Sequence, residues 1–180
     1  YIVILIERED FFMSFKETDI NSLQFNPFTK IGKQWFLVTA GNGKAYNTMT
    51  ASWGFMGFMW NKPVITTVIR TNRHTFSFIE SNDYFTISFY PEECRKALNF
   101  CGSHSGKDCD KALETGLTPV HEADYTYFEQ AETVFVCRKL YEQKMDTDLF
   151  TDKSLMKFYE KDPEHKAFVG EIVKVLVKED

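Results

Sequence analysis

At 180 residues, with 18 Phe, 8 Tyr and 3 Trp, the chain is long and aromatic enough to bury the core of one domain, and too apolar to be a disordered polymer. A formal net charge of −5 argues against a general nucleic-acid binder, and no apolar run approaches the ~20 residues of a membrane helix, so neither nucleic acid nor membrane is expected among its partners. Four cysteines, Cys94, Cys101, Cys109 and Cys137, could pair twice, but a chain that builds its own core has no need of staples. Free thiols in a reducing, cytoplasmic setting are the expectation.

Residues 1–12 (YIVILIEREDFF) lack the charged start and small-residue cleavage site of a signal peptide. They read as an extension ahead of an ordinary start at Met13, leaving 13–180 as a single domain. Asn26-Pro27 signals a turn, and 34–39 (QWFLVT) is a strand of aromatic and β-branched residues. Gly41-Asn42-Gly43 reads as a hairpin turn with positive φ, which makes 47–54 the return strand. The Gly-interrupted run 55–60 is expected as a loop or short helix packed on the core. Residues 63–69 form a strand with Pro first, where Pro is tolerated. Thr71 or Asn72 would cap a helix over 76–80. A strand at 84–89 follows, then a helix at 91–100 with Pro and acids early and bases later. A second helix at 108–115 is stopped by Gly116. The chain ends with a strand at 133–145, a short helix at 155–160 and a strand at 167–178. Six strands with inserted helices and no βαβ rhythm point to a mainly β fold, a six-stranded Greek-key barrel.

The charges are unevenly spread. From 20 to 79 there is no Asp or Glu, yet Lys30, Lys33, Lys44, Lys62, Arg70 and Arg73 all fall there. All 26 acidic residues and 15 of the 21 basic ones are left to the remainder. A small bound anion would account for such a block, which is too weakly basic for a nucleic-acid track. At its centre lies 47–54. In a strand of period two, Thr48, Thr50 and Ser52 face one way and Asn47, Met49, Ala51 and Trp53 the other. Hydroxyls in a row suit a polar ligand or a solvent-facing edge.

Arg70, Arg73, His74 and Thr75 sit where a strand yields to a helix start, a natural anion site. The loop 102–108 (GSHSGKD), with Lys111 beyond it, superficially resembles a Walker loop. It has three residues between its glycines where that motif needs four, and Asp108 stands where Ser or Thr should. Cys94, Cys101, His104 and Cys109 match no common zinc spacing, and no metal is expected. His104, His121 and His165 read as loop or surface residues. With no nucleophile or acid–base set, a bound cofactor would have to carry any reaction.

Several segments in order, Asn-Thr-Met-Thr-Ala-Ser-Trp-Gly at 47–54, Trp-Asn-Lys-Pro-Val at 60–64, Arg-Thr-Asn-Arg-His-Thr at 70–75, Cys-Gly-Ser-His-Ser-Gly-Lys-Asp at 101–108 with Asp110 and Lys111, and Gly-Glu-Ile at 170–172, resemble the flavin reductase-like, FMN-binding split-barrel family, its flavoredoxin-type members above all. The resemblance implies a split-barrel homodimer with non-covalent FMN near the subunit interface. It implies that Asn47, Thr48, Met49, Thr50, Ala51, Ser52 and Trp53 line the isoalloxazine and ribityl chain. Arg70, Thr71, His74 and Thr75, with Ser103, Ser105, Gly106 and Lys111, would hold the phosphate or cover the site from the partner subunit. His74 departs from the family pattern, in which many members carry Tyr. The implied activity is an oxidoreductase accepting hydride at flavin N5 from NAD(P)H or another small-molecule reductant, or passing electrons to a partner protein. The alternative is an FMN-binding or structural module without turnover.

Overall fold

Residues 14–24 and 26–179 are described in a computed structural model of the chain, and the extension expected at 1–12 lies outside the described residues. The β-branched and aromatic runs form strands β1 (Phe15–Glu17), β2 (Phe36–Asn42), β3 (Ala45–Ala51), β4 (Gly54–Met59), β5 (Lys62–Arg70), β6 (Tyr84–Phe89), β7 (Pro119–His121), β8 (Thr126–Phe128), β9 (Thr133–Lys144) and β10 (His165–Lys178). Short α-helices interrupt them: α1 (Pro27–Thr29), α2 (His74–Ser81), α3 (Arg95–Ser103) and α4 (Lys111–Thr115). Seven strands lie side by side in the order β3-β2-β6-β9-β10-β5-β4, β1 adds to β10, and β7 with β8 makes a separate hairpin. All pairings are antiparallel.

The order explains why the barrel is split. Among the described residues β3 and β4, at the two ends of the row, are each hydrogen-bonded to one neighbour only. The sheet curls without closing. Its curvature is helped by β10, whose register against β9 shifts at Val169/Gly170 and again at Ile172/Lys174. Gly170 is required there by contact, since a Cβ would stand 2.7 Å from the Phe85 ring and 2.8 Å from the Cys137 Cβ.

Strands β2 and β6 are buried on both faces, as their apolar runs imply. Phe36, Val38, Ile87, Phe135, Cys137 and Phe168 fill the barrel interior with Ile79 of α2. Leu37, Leu98, Phe128, Val134 and Val136 form a second core under α3 and the β7–β8 hairpin. All four cysteines are free thiols.

The six expected strands all stand, with ends moved by a few residues, and the sheet gains β1 and β4. Residues 55–60 are therefore corrected. They form an edge strand paired with β5 from Gly54↔Thr67 to Met59↔Lys62. Trp60 (φ 53°) and Asn61 (φ 56°) supply the two left-handed positions of a tight hairpin. Glycines in an apolar run concealed a strand whose Phe55, Phe58 and Met59 face outward instead of into the core. At the β2–β3 hairpin the chain reverses through Gly43 and Lys44, and the positive φ falls on Gly41 (98°) alone. There a Cβ would meet the Ala45 carbonyl at 2.2 Å.

Helix starts also moved. Helix α2 begins at His74 with Arg73 in the cap position and no side-chain cap, so neither Thr71 nor Asn72 caps it. The helix expected at 91–100 is a 3-10 turn, Glu92–Cys94, running into α3. That expected at 108–115 begins only at Lys111, because Asp110 accepts the amides of Ala112 and Leu113 and so fixes the start. The piece expected at 155–160 is a 3-10 helix, Lys153–Phe158. No helix among the described residues is long and apolar enough to cross a membrane.

Candidate functional site

The opening between β3 and β5 is where polar groups collect. Two hydroxyls that the sequence offers to a ligand are spent on the protein. Thr48 is buried, its hydroxyl 2.9 Å from that of Thr39 and donating to the Val38 carbonyl at 3.2 Å. Thr50 donates to the Leu98 carbonyl at 2.5 Å. What β3 offers instead is backbone. The Thr48 carbonyl faces away from β2 and accepts the Lys111 ammonium at 2.8 Å. With the ladder's period of two, the amide and carbonyl of Thr50 face the same open edge.

Two clefts flank that edge and share Thr50, Ala51 and Ser52. The first, about 230 Å³, adds Met49, Trp53, Val68, Arg70, Arg73 and His165. The second, about 330 Å³, adds Trp35, Leu98, Asn99, Gly102 and Ser103. Among the described residues no carboxylate lines either one. In the first, Arg70 donates to the carbonyls of Pro163 at 2.7 Å and Phe158 at 2.8 Å, and lies 5.4 Å from the Tyr159 ring. This ties the 153–163 segment across one bank and leaves guanidinium protons to spare. The Arg73 side chain is exposed and, among the described residues, in no ion pair. His165 was expected on a loop or surface. It is buried at the start of β10, paired in register with Arg70, with Nδ1 3.2 Å from the Tyr159 hydroxyl. Burial first, then Arg70 and Arg73, push its pKa down to about 4, so the imidazole is neutral at pH 7. Trp53 packs against both His165 and Phe158, each at 5.2 Å between ring centres.

A third cleft, about 430 Å³, lies at the other end of β3, between Tyr46, Asn47 and Thr48 and the 106–112 segment. Here the structure gathers Asn47, His74, Thr75, Gly106 and Lys111. The Asn47 amide donates to the Thr75 hydroxyl at 2.7 Å. A Cβ on Gly106 would stand 1.9 Å from Asn47 Oδ1 and 3.3 Å from the His74 ring, so only glycine lets the loop reach the strand. Lys111, 6% exposed, splits its ammonium between the carbonyls of Thr48 and Cys101, each at 2.8 Å. Burial lowers its pKa. Burial, then Lys107 and Lys111, lower that of His74.

Three expected site residues sit differently. Thr71 is exposed on the turn after β5 and lines none of these clefts. Ser105 accepts the Lys107 amide at 3.2 Å and lines none of them either. Ser103 lines the second cleft but gives its proton to the Asn99 carbonyl at 2.8 Å. Sequence reasoning missed Trp35, Asn99 and His165. Nothing local marks His165, which is placed by cross-strand register alone. Trp35 carried a usable signal, a large aromatic at the edge of a strand otherwise destined for the core.

A family model described as "Flavin reductase like domain" matches residues 28–180. No curated protein matches in sequence. Solved structures similar to the chain include an FMN-binding domain of flavin reductases-like enzyme from Shewanella baltica OS155, at 17% identity and TM-score 0.67, over 92% of this chain and 78% of that one. A flavoredoxin from Methanosarcina acetivorans follows at 18% and 0.64, over 87% and 75%. The flavoredoxin of Desulfovibrio vulgaris (Miyazaki F) aligns at 22% and 0.65, over 91% and 78%.

Proposed function

Because the chain belongs to the flavin reductase like domain family, we propose that it is an FMN-dependent oxidoreductase that holds the cofactor without a covalent bond in the seam between β3 and β5. The observation that carries this reading is the pair of clefts sharing Thr50, Ala51 and Ser52, with cations, a neutral imidazole and an open strand edge but, among the described residues, no carboxylate. Those residues fit the group. Arg70 and Arg73 would take the phosphate, which at neutral pH carries nearly two negative charges. Backbone groups of the β3 edge and the Thr50–Trp53 corner would meet the polar rim of the ring system, steadying negative charge as it develops there. Trp53, fixed by Phe158 and His165, would wall the site from water.

When bound, the flavin supplies two-electron chemistry, with hydride accepted at its N5 from NAD(P)H or another small-molecule reductant. No side chain of the seam needs to act as acid or base. His165, neutral at pH 7, keeps a third positive charge away from the reacting ring.

Assembly as a homodimer belongs to the same proposal. Among the described residues strand β4 is an edge with one neighbour, and on it Phe55 is 61%, Phe58 73% and Trp60 beyond it 52% exposed. An apolar edge of that kind is a surface that native proteins cover.

Anaerobic addition of NADH or NADPH to the FMN-loaded protein tests the activity. Loss of the flavin's visible absorbance is expected. Bleaching by dithionite but by neither nicotinamide would favour an electron carrier served by a partner protein. Failure to bind FMN would remove the reading.

A further inference from the structure

Trp35 stands at the entrance to β2 with φ 68° and ψ 175°, a region populated essentially by glycine. A bulky residue is kept in such a conformation only when its surroundings over-determine it, and they do. Arg95, the first residue of α3, donates to the carbonyls of Lys33 at 2.9 Å and Gln34 at 3.1 Å. The same guanidinium lies 4.6 Å from the centre of the indole. The preceding Lys30–Gln34 segment is a π-helical turn, a rarity that accumulates at functional sites. The half-buried indole packs against the second core and lines the second cleft together with Ser52, Leu98, Asn99 and Gly102.

We propose that Trp35 is the stacking platform of that cleft, and that the cleft takes a flat, conjugated ring that is neutral or anionic, belonging to the reactant that exchanges electrons at the seam. This deepens the oxidoreductase reading and rests on it for the ring's role, though not for its binding. The indole gives a flat π surface, and such surfaces prefer offset stacking with another ring. Arg95 already holds the positive partner of that π system, so a cationic ring would meet a surface whose attraction is spent. Arg70 and Arg73 across the Thr50–Ser52 ridge, with no carboxylate in either cleft among the described residues, add to the bias against cations. A dihydronicotinamide or an aromatic carboxylate satisfies these conditions, and a pyridinium does not.

The test uses FMN-free full-length protein and two probes, benzoate and its saturated, non-planar analogue cyclohexanecarboxylate. Among the three indole N–H resonances, the one missing in Trp35→Phe identifies Trp35. Benzoate is expected to shift it and cyclohexanecarboxylate to leave it in place. Trp35→Phe should keep benzoate affinity within about threefold, whereas Trp35→Leu, apolar but not flat, should lose about tenfold. If Trp35→Leu does not fold, the Trp35 resonance of the parent decides alone. An unmoved resonance, equal affinity in Trp35→Leu, or equal binding of the two probes overturns the proposal. FMN titrated into the same sample separates the two readings. A parent that binds benzoate at Trp35 but not FMN keeps the ring subsite and loses the flavin site. One that binds FMN with Trp35 unmoved by benzoate does the reverse.

Discussion

Lys111 and His165 reach low-dielectric positions by opposite routes. Lys111 gives two protons to the carbonyls of Thr48 and Cys101, and so clamps α4 and the end of α3 to the edge of β3. Lys111→Met keeps the length and removes the donors. It should lower the stability measured by denaturant unfolding by about 1–3 kcal/mol, the usual toll of a buried unsatisfied group. An unchanged midpoint would mean that the carbonyls find other partners. His165 meets the Tyr159 hydroxyl through Nδ1 instead and stays neutral. Its folded pKa of about 4 lies below the ordinary 6.5, so the unfolded chain binds the extra proton between those values. The stability this contributes is complete above pH 6.5 and is lost as pH falls toward 4. His74, also held low, adds to the same loss. Removing this imidazole in His165→Gln should therefore flatten part of the acid limb of the stability–pH curve. A phosphate group docked beside Arg70 should raise the His165 pKa, seen by NMR as titration of its ring protons at a higher pH. The same titration with and without FMN would refute the phosphate placement.

At the scale of elements, the two ends of the sheet have different fates. Strand β3 turns its free edge to Lys111 and the clefts, while β4 turns its own to solvent with Phe55, Phe58 and Met59 exposed. Phe58→Lys probes that second edge. On an exposed position it should change chain stability by no more than about 0.5 kcal/mol. If β4 forms the proposed dimer interface, light scattering should show a shift toward monomer. A variant that keeps the parent's mass would place the interface elsewhere. The contrast between β4 and its neighbours also shows where sequence patterns stop being legible. QWFLVT, PVITTVI and YFTISF announce strands through β-branching, because each is buried between two neighbours. FMGFM is a strand only because β5 and the left-handed Trp60-Asn61 pair fold it back, and neither fact is written in its own composition. The start of α4 turned on a similar point, since Asp108 and Asp110 are both good caps and only the chain's path selects the second.

Across the whole molecule, the acid-free block from 20 to 79 maps onto one place. It contains β2 to β5 and most of α2, so both banks of the seam are drawn from it. Thr50 to Trp53 and Arg70, expected as site residues from that block, line its clefts. Asn99 and His165 enter the clefts from chain-distant elements, α3 and β10, through helix packing and cross-sheet register, which local sequence does not reveal. The hydroxyls of Thr48 and Thr50, conspicuous in the sequence, proved to be internal fasteners, and the strand's backbone edge took their place as the feature facing the seam. The claim that follows is that this seam holds FMN by its phosphate as well as its ring. Titrating the purified chain with FMN and with riboflavin, which has the same ring and no phosphate, tests it most directly. The account predicts saturable quenching of flavin fluorescence at one FMN per chain, with riboflavin bound at least about tenfold more weakly for loss of charge-assisted bonds. Equal affinity for the two, or no binding of either, would contradict it.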